Sequence, residues 1–208
     1  MPELILAFDT SAAHCAAALL SDGNIVADRL EPMSRGQAER LFPLLEELLQ
    51  SQSVGWSDLD ALAVGTGPGN FTGLRIAVAA ARGLALSLGQ PAIGVDGFEA
   101  RAFGEDGPAL VAVPAPRDAV HARPHGSGLS DDVLTLTAEE ALSLALREGL
   151  RPLGEVLGVP PAQPLAHGIA LVARRRLRSG AVRPRPAPLY VRPADAAPSR
   201  VAMPRLLP

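Results

Sequence analysis

The chain contains a single cysteine, Cys15, and no lysine at all. One thiol rules out an intrachain disulfide and points to a reducing compartment. Aromatic residues are also scarce, at 3%, whereas hydrophobic residues reach 48%. Alanine, leucine and valine must therefore fill the core of a 208-residue chain, long enough for one large domain or two small ones. No uninterrupted apolar run approaches the ~18 residues needed to cross a bilayer. The opening Met1-Pro2-Glu3-Leu4 lacks the charged start and long apolar stretch of a signal peptide. A cytoplasmic protein without a membrane segment is the expectation. The all-arginine basic set, beside abundant Ala, Pro and Gly, reads as a compositional habit of the source genome.

The net charge of −3 hides an asymmetry. Residues 1–100 carry 12 acidic and 5 basic side chains, net −7, and residues 101–208 carry 10 and 14, net +4. Within residues 174–208, nine arginines stand against Asp195 alone. Such a tail suits contact with RNA phosphates. The plainer reading is a solvated, partly disordered end studded with proline.

The most informative stretch is Val64-Gly65-Thr66-Gly67-Pro68-Gly69-Asn70-Phe71-Thr72-Gly73-Leu74-Arg75. It sets four glycines and a proline between an apolar run and a long helical pattern. Glycine permits close backbone approach, and a turn entering a helix aims free N–H groups outward. Both a phosphate cradle and a tightly packed strand-to-helix turn satisfy that description. The Walker reading fails, because Leu74 stands where a Lys is required after the last glycine.

Along the chain, Leu4 to Phe8, Ala16 to Leu20 and Ile25 to Ala27 read as three strands in a meander, with Asp22-Gly23 as a hairpin signal. Residues 36–51 read as a helix through Leu41, Leu44, Leu45 and Leu48, in which Pro43 predicts a kink or a late start. Ala61 to Thr66 is a fourth strand, residues 72–88 a second helix ended by Gly89-Gln90-Pro91, and Ala92 to Val95 a fifth strand. The order β-β-β-α-β-α-β describes half of an actin/Hsp70/sugar-kinase unit, so the expected class is α/β with a ribonuclease-H-like fold. Residues 1–102 would form that N-terminal lobe, and 103–208 a reduced, degenerate C-terminal lobe with an Arg/Pro-rich tail. In the second half, Ala109 to Val113 suits a strand and Thr137 to Leu146 a helix with a Thr137/Glu140 capping box. Residues 114–130 look like loop, and Ala166 to Leu177 like a final helix.

Leu6-Ala7-Phe8-Asp9-Thr10-Ser11, Ala38-Glu39-Arg40-Leu41-Phe42-Pro43, Gly67-Pro68-Gly69-Asn70-Phe71-Thr72-Gly73-Leu74-Arg75-Ile76 and Gly83-Leu84-Ala85 together resemble the TsaB (YeaZ) family. Pro188-Leu189-Tyr190-Val191-Arg192 matches an element near that family's end. Two segments depart from the family pattern. Gln37-Ala38-Glu39 stands where His-[Ser/Thr]-Glu is usual, and Pro114 to His121 where Asp-Ala-Arg followed by Glu-Val-Tyr is usual. The resemblance implies a non-catalytic subunit in tRNA threonylcarbamoyladenosine modification. Such a subunit dimerises with its sister TsaD and, with the ATPase TsaE, supports transfer of threonylcarbamoyl to an adenosine beside the anticodon. Alone it would form a homodimer, and it would touch tRNA indirectly or weakly through the arginine-rich tail.

No catalytic residue, cofactor or metal is expected. An enzyme of the TsaD kind holds metal with two histidines one helical turn apart, and residues 36–51 contain none. His121 and His125 have that spacing, but Pro124 and Gly126 oppose a helix, so they read as loop histidines, with His14 and His167 isolated. Asp9 ends the first strand, where this fold usually keeps a Mg-linked carboxylate; a turn role toward Ser11 serves as well. Asp9, Thr10, Ser11, Gly67 and Gly69 are the weak cofactor-binding candidates, and a small ATP-binding transferase or kinase is the rival function. Cys15 reads as a buried small hydrophobe. Gly73, Ala77, Ala81 and Ala85 form a stripe without bulk on the second helix. With Glu39, Leu41, Leu44 and Leu45 it is the candidate partner interface, intrachain helix packing being the alternative.

Overall fold

The computed structural model describes residues 3–180 and 184–191. Its first sheet has the order β3-β2-β1-β4-β5. β1 (Leu4–Asp9), β2 (His14–Ser21) and β3 (Asn24–Pro32) run antiparallel, while β4 (Ala61–Gly65) and β5 (Ala92–Val95) join parallel to β1. Strand period two divides β1 between two cores. Leu4, Leu6 and Phe8 face α1 (Gln37–Ser51) and α2 (Phe71–Leu88). Ile5 and Ala7 face α3 (Gly97–Ala102) and α5 (Leu165–Arg178). Every residue of β1 and β4 is buried, as a central parallel strand covered on both faces requires.

Pro43 lies inside α1, yet the helix runs unbroken from Gln37 to Ser51, where a kink or late start was expected. Pro43 sits on the exposed side, and the buried row of Leu41, Leu44, Leu45, Leu48 and Leu49 holds the helix to the sheet. α2 is 18 residues long with a mean hydropathy of 1.4, enough by length and composition to cross a membrane. Here Gly73, Leu74, Ala77, Val78 and Ala81 bury its inner face against the sheet and α1.

The second sheet has the order β8-β7-β6-β9. β6 (Ala109–Pro114), β7 (Val120–His125) and β8 (Leu134–Leu136) are antiparallel, and β9 (Arg151–Leu153) lies parallel to β6. With α4 (Ala138–Arg147) between β8 and β9, it repeats the first four strands and first helix of the other sheet. The Thr137/Glu140 capping box is present, with paired bonds of 3.1 and 2.8 Å. β7 corrects the loop expected over residues 114–130. Val120, Ala122 and Pro124 are buried on one face in alternation with His121, Arg123 and His125. β8 pairs only with Val120 to Ala122, so Pro124 falls where that edge is open. His121 and His125 are therefore strand residues, not loop residues.

The second half also returns to the first sheet. α5 packs against β1, β2, β4 and β5, and the absence of a side chain at Gly168 lets it meet the Ala100 backbone of α3. Further on, the Leu189 amide donates to the Thr66 carbonyl at 2.7 Å, which straps residues 184–191 across the end of β4. The remaining tail, with Arg183, Arg192, Arg200 and Arg205, lies outside the described residues.

Candidate functional site

A cleft of about 1080 Å³ opens between the two sheets. Its floor is formed by the carboxyl ends of β1 and β4, the crevice where open α/β sheets place their ligands. Asp9, Ser11, Gly65, Gly67 and Gly69 line one side, and Val113, Pro114, Arg117 and His121 line the other.

Asp9 is 1% exposed. Its Oδ1 accepts from the Ser11 amide at 2.8 Å, the Ser11 hydroxyl at 2.7 Å and His14 Nε2 at 2.9 Å. Burial alone would raise this carboxyl. The hydrogen bond and charge of His14, with the Ser11 donors, outweigh it and hold the group below its ordinary value. The Asp9 Oδ2 has no hydrogen-bond partner and lies against Gly65, where a Cβ would overlap it. The turn role toward Ser11 is thus realised, and His14 is its partner instead of being isolated. His167 likewise stands 3.3 Å from Asp28.

The glycine turn packs on the β1–β2 loop. Gly67 takes φ +91°, and its carbonyl accepts from the Gly97 amide at 2.7 Å. Asn70 donates its amide to the Ser11 carbonyl at 2.6 Å and caps α2 by accepting from the Gly73 amide at 3.0 Å. The Thr10 hydroxyl donates to the Gly73 carbonyl at 2.7 Å. A side chain on Gly69 would overlap the Ser11 carbonyl oxygen, and one on Gly73 the Thr10 carbonyl oxygen. In a phosphate cradle those spaces receive ligand oxygens. Here they hold backbone oxygens of the chain itself. Asp9, Thr10, Ser11, Gly67 and Gly69 come together at this end of the cleft. Among the described residues no three His, Cys, Asp or Glu side chains are grouped to hold a metal.

The far wall supplies arginines. Arg101 donates to the Gly97 carbonyl at 3.1 Å and to Glu155 at 3.2 Å. Arg117 and Asp118 have φ of 62° and 57° at the tip of the β6–β7 hairpin. At the mouth, the Arg75 guanidinium lies 3.8 Å from the centre of the Phe71 ring and donates to the Tyr190 hydroxyl at 3.2 Å. The Phe71 and Tyr190 rings stand 5.2 Å apart. Sequence reasoning missed this cluster, although both of its parts lie in matched motifs, because residues 71 and 190 meet only in the fold.

Most of the candidate interface is buried within the chain, and Leu41 also lines the open groove between the two helices. Leu41, Leu44, Leu45, Ala77 and Ala81 are all 0% exposed, and Gly73 is buried with them. They pack α1 and α2 onto the sheet and onto each other. Glu39 is exposed. Between these two helices lies a groove whose lining includes Leu41 with Ala38, Phe42, Ile76, Ala80, Gly83 and Leu84. The start of the arginine-rich tail is also committed: Arg174 and Arg178 pair with Glu3, and Arg175 and Arg176 with Glu99. Cys15 is fully buried, and burial with the nearby Glu31 charge pushes its thiol up to about 11.

A family model described as TsaD, tRNA N6-adenosine threonylcarbamoyltransferase, matches residues 31–169, more than half of the chain. The tRNA threonylcarbamoyladenosine biosynthesis protein TsaB of Escherichia coli is 42% identical over 91 residues, covering 44% of this chain and 39% of that protein. The match thus spans less than half the length of that curated relative. An uncharacterized protein of Mycobacterium tuberculosis is 30% identical over 212 residues and 95% of each chain. A crystal structure of a Pseudomonas aeruginosa protein, described as similar to the peptidase YeaZ, superimposes with a TM-score of 0.72. It shares 28% identity, covering 91% of this chain and 100% of that one. The ribonuclease-H-like sheet order, the specific Gly67–Ile76 segment and these matches make the chain a member of the TsaB/YeaZ family, within the wider family that the TsaD model describes.

Proposed function

We propose that this chain is a non-catalytic partner and activator of a TsaD protein in tRNA threonylcarbamoyladenosine modification, with the ATPase TsaE as a third component. The observation that carries the reading is the open groove between α1 and α2. Ile76, Ala80, Gly83 and Leu84 on one helix and Ala38 and Phe42 on the other offer apolar surface, with small residues that permit close helix approach. Phe42 is 45% exposed in the single chain, a large apolar side chain that a partner helix would cover. A homodimer through the same groove is the state expected without the partner. The two lobes, 1–102 and 103–208, would act as one scaffold, joined by α5 on the first sheet. The glycine turn, filled by the chain's own carbonyl oxygens, supports a subunit without phosphate chemistry of its own.

Two measurements test this. Purified alone, the chain yields no threonylcarbamoyladenosine, and added to TsaD, TsaE, adenylate donor and tRNA it raises the yield; product from the lone chain refutes the reading. Gly83→Arg starts from a position with open space around its Cβ, and a variant shown by circular dichroism to be folded should weaken TsaD association tenfold or more, about 1.4 kcal/mol. Unchanged association of that variant removes the groove from the proposal.

A further inference from the structure

The cleft mouth carries features that the scaffold reading does not use. Three arginines, Arg75, Arg101 and Arg117, line the cleft with one carboxylate, Asp9, at its floor, and Arg101 is paired with Glu155. Beside them stand two rings with open surface, Phe71 at 39% and Tyr190 at 42% exposure. In a chain with 3% aromatics, an exposed pair next to arginines is an unusual concentration. Arg75 braces the pair from within the cluster, whereas Arg117 is exposed at its hairpin tip and has no ion-pair partner among the described residues. It lines the cleft wall from a left-handed backbone, uncommon for a residue with a side chain.

We infer that this mouth docks a single-stranded RNA segment, with an unpaired base stacked on the Phe71–Tyr190 pair and the adjoining phosphate met by Arg117. The inference rests on the tRNA reading above and moves the RNA contact from the arginine-rich tail to the cleft. The chemistry favours RNA for two reasons. Every base presents a π-face, so an open aromatic pair accepts it without sequence preference. Arginine supplies the charge that the sugar-phosphate chain requires. At the floor the spaces beside Gly69 and Gly73 are filled by the chain's own carbonyl oxygens, so the proposed contact lies at the rim. The four arginines of α5 are already paired with Glu3 and Glu99, whereas Arg117 is exposed on the cleft wall.

The test is a titration of the full chain with a fluorescein-labelled, unstructured RNA heptamer, followed by anisotropy at several salt concentrations. The same RNA as a duplex, and ATP, serve as competitors. The heptamer should bind at low salt and outcompete the duplex. Tyr190→Ala should weaken it about tenfold, within the range for loss of one stacked base, and Tyr190→Phe should bind as wild type. Arg117→Gln, which breaks no contact in the fold, should lower the slope of log K against log salt by about 0.7, the value for one phosphate of a single strand. The inference is overturned by no binding at low salt, by equal binding of the duplex, or by displacement with micromolar ATP. It is also overturned if Arg185→Gln alone weakens binding, which places the contact on the tail. Loss of TsaD association in Tyr190→Ala with RNA binding intact would make the cluster a protein contact and overturn it as well. The RNA titration needs no TsaD, so its failure is distinct from failure of the partner reading.

Discussion

The same substitution placed twice in α2 should move stability in opposite directions. Gly83 is interior to the helix, where alanine is ordinarily worth about 1 kcal/mol over glycine, and Gly73 lies in its first turn, where the gain is no larger. At Gly83 nothing lies within 4 Å of a Cβ, so Gly83→Ala collects that gain and should raise Tm by roughly 2–4 °C in a chain of this length. At Gly73 the Cβ overlaps the Thr10 carbonyl oxygen and comes within 3.0 Å of the carbonyl carbon. Both belong to backbone at the end of a central strand, which has no rotamer to give. The helix must back away, which costs about 1–3 kcal/mol of overpacking. The 2.7 Å bond from the Thr10 hydroxyl to the Gly73 carbonyl stretches as well, at about 1 kcal/mol. Against these stands a propensity gain of no more than about 1 kcal/mol. Net destabilisation by about 1–3 kcal/mol should lower Tm by roughly 2–12 °C. Urea unfolding and thermal melts of both variants, with circular dichroism to confirm the fold, provide the measurement. A Gly73→Ala protein as stable as wild type would refute the claim that this turn exists for close backbone approach.

Two further outcomes follow from the buried groups. The folded pKa of Asp9 lies below its ordinary 3.8, so the stability it contributes is full above that pH and drains as pH falls through the lowered folded value. Asp9→Asn should therefore be less stable than wild type at pH 7, with the gap narrowing below about pH 3.8; a constant gap in urea unfolding from pH 7 to pH 2.5 would contradict this. The Cys15 thiol, buried and pushed up to about 11, should resist an aromatic disulfide reagent at pH 8 until the chain unfolds. Labelling of the folded protein as fast as of the urea-unfolded chain would show that the thiol is open.

Much of the first sheet was legible because its signals are local. Runs such as Leu4 to Phe8, the Asp22-Gly23 turn and the leucine spacing of α1 each fix an element within about ten residues. The Thr137/Glu140 box marked α4 for the same reason. β7 was not legible, because Pro124, His121 and Arg123 have poor strand preference and become a strand only between β6 and β8. α3 was missed although Asp96 caps it by accepting from the Phe98 and Glu99 amides, because six residues give no helical period.

The amino-acid sequence by itself determined the strand-and-helix order of the first lobe, the glycine turn as a strand-to-helix connection, and the family to which that turn belongs. Only the tertiary structure decided which way each helix faces. A stripe of Gly73, Ala77 and Ala81 reads the same whether it meets its own sheet or a partner, because helical period gives relative angle and not absolute orientation. Packing resolved it: the stripe is buried inside, and the row through Ile76, Ala80 and Gly83, partly buried at Ile76 and Ala80, lines the open groove. The cleft was equally invisible, since Asp9 with His14, and Phe71 with Tyr190, become neighbours only when the sheet brings distant strand ends together.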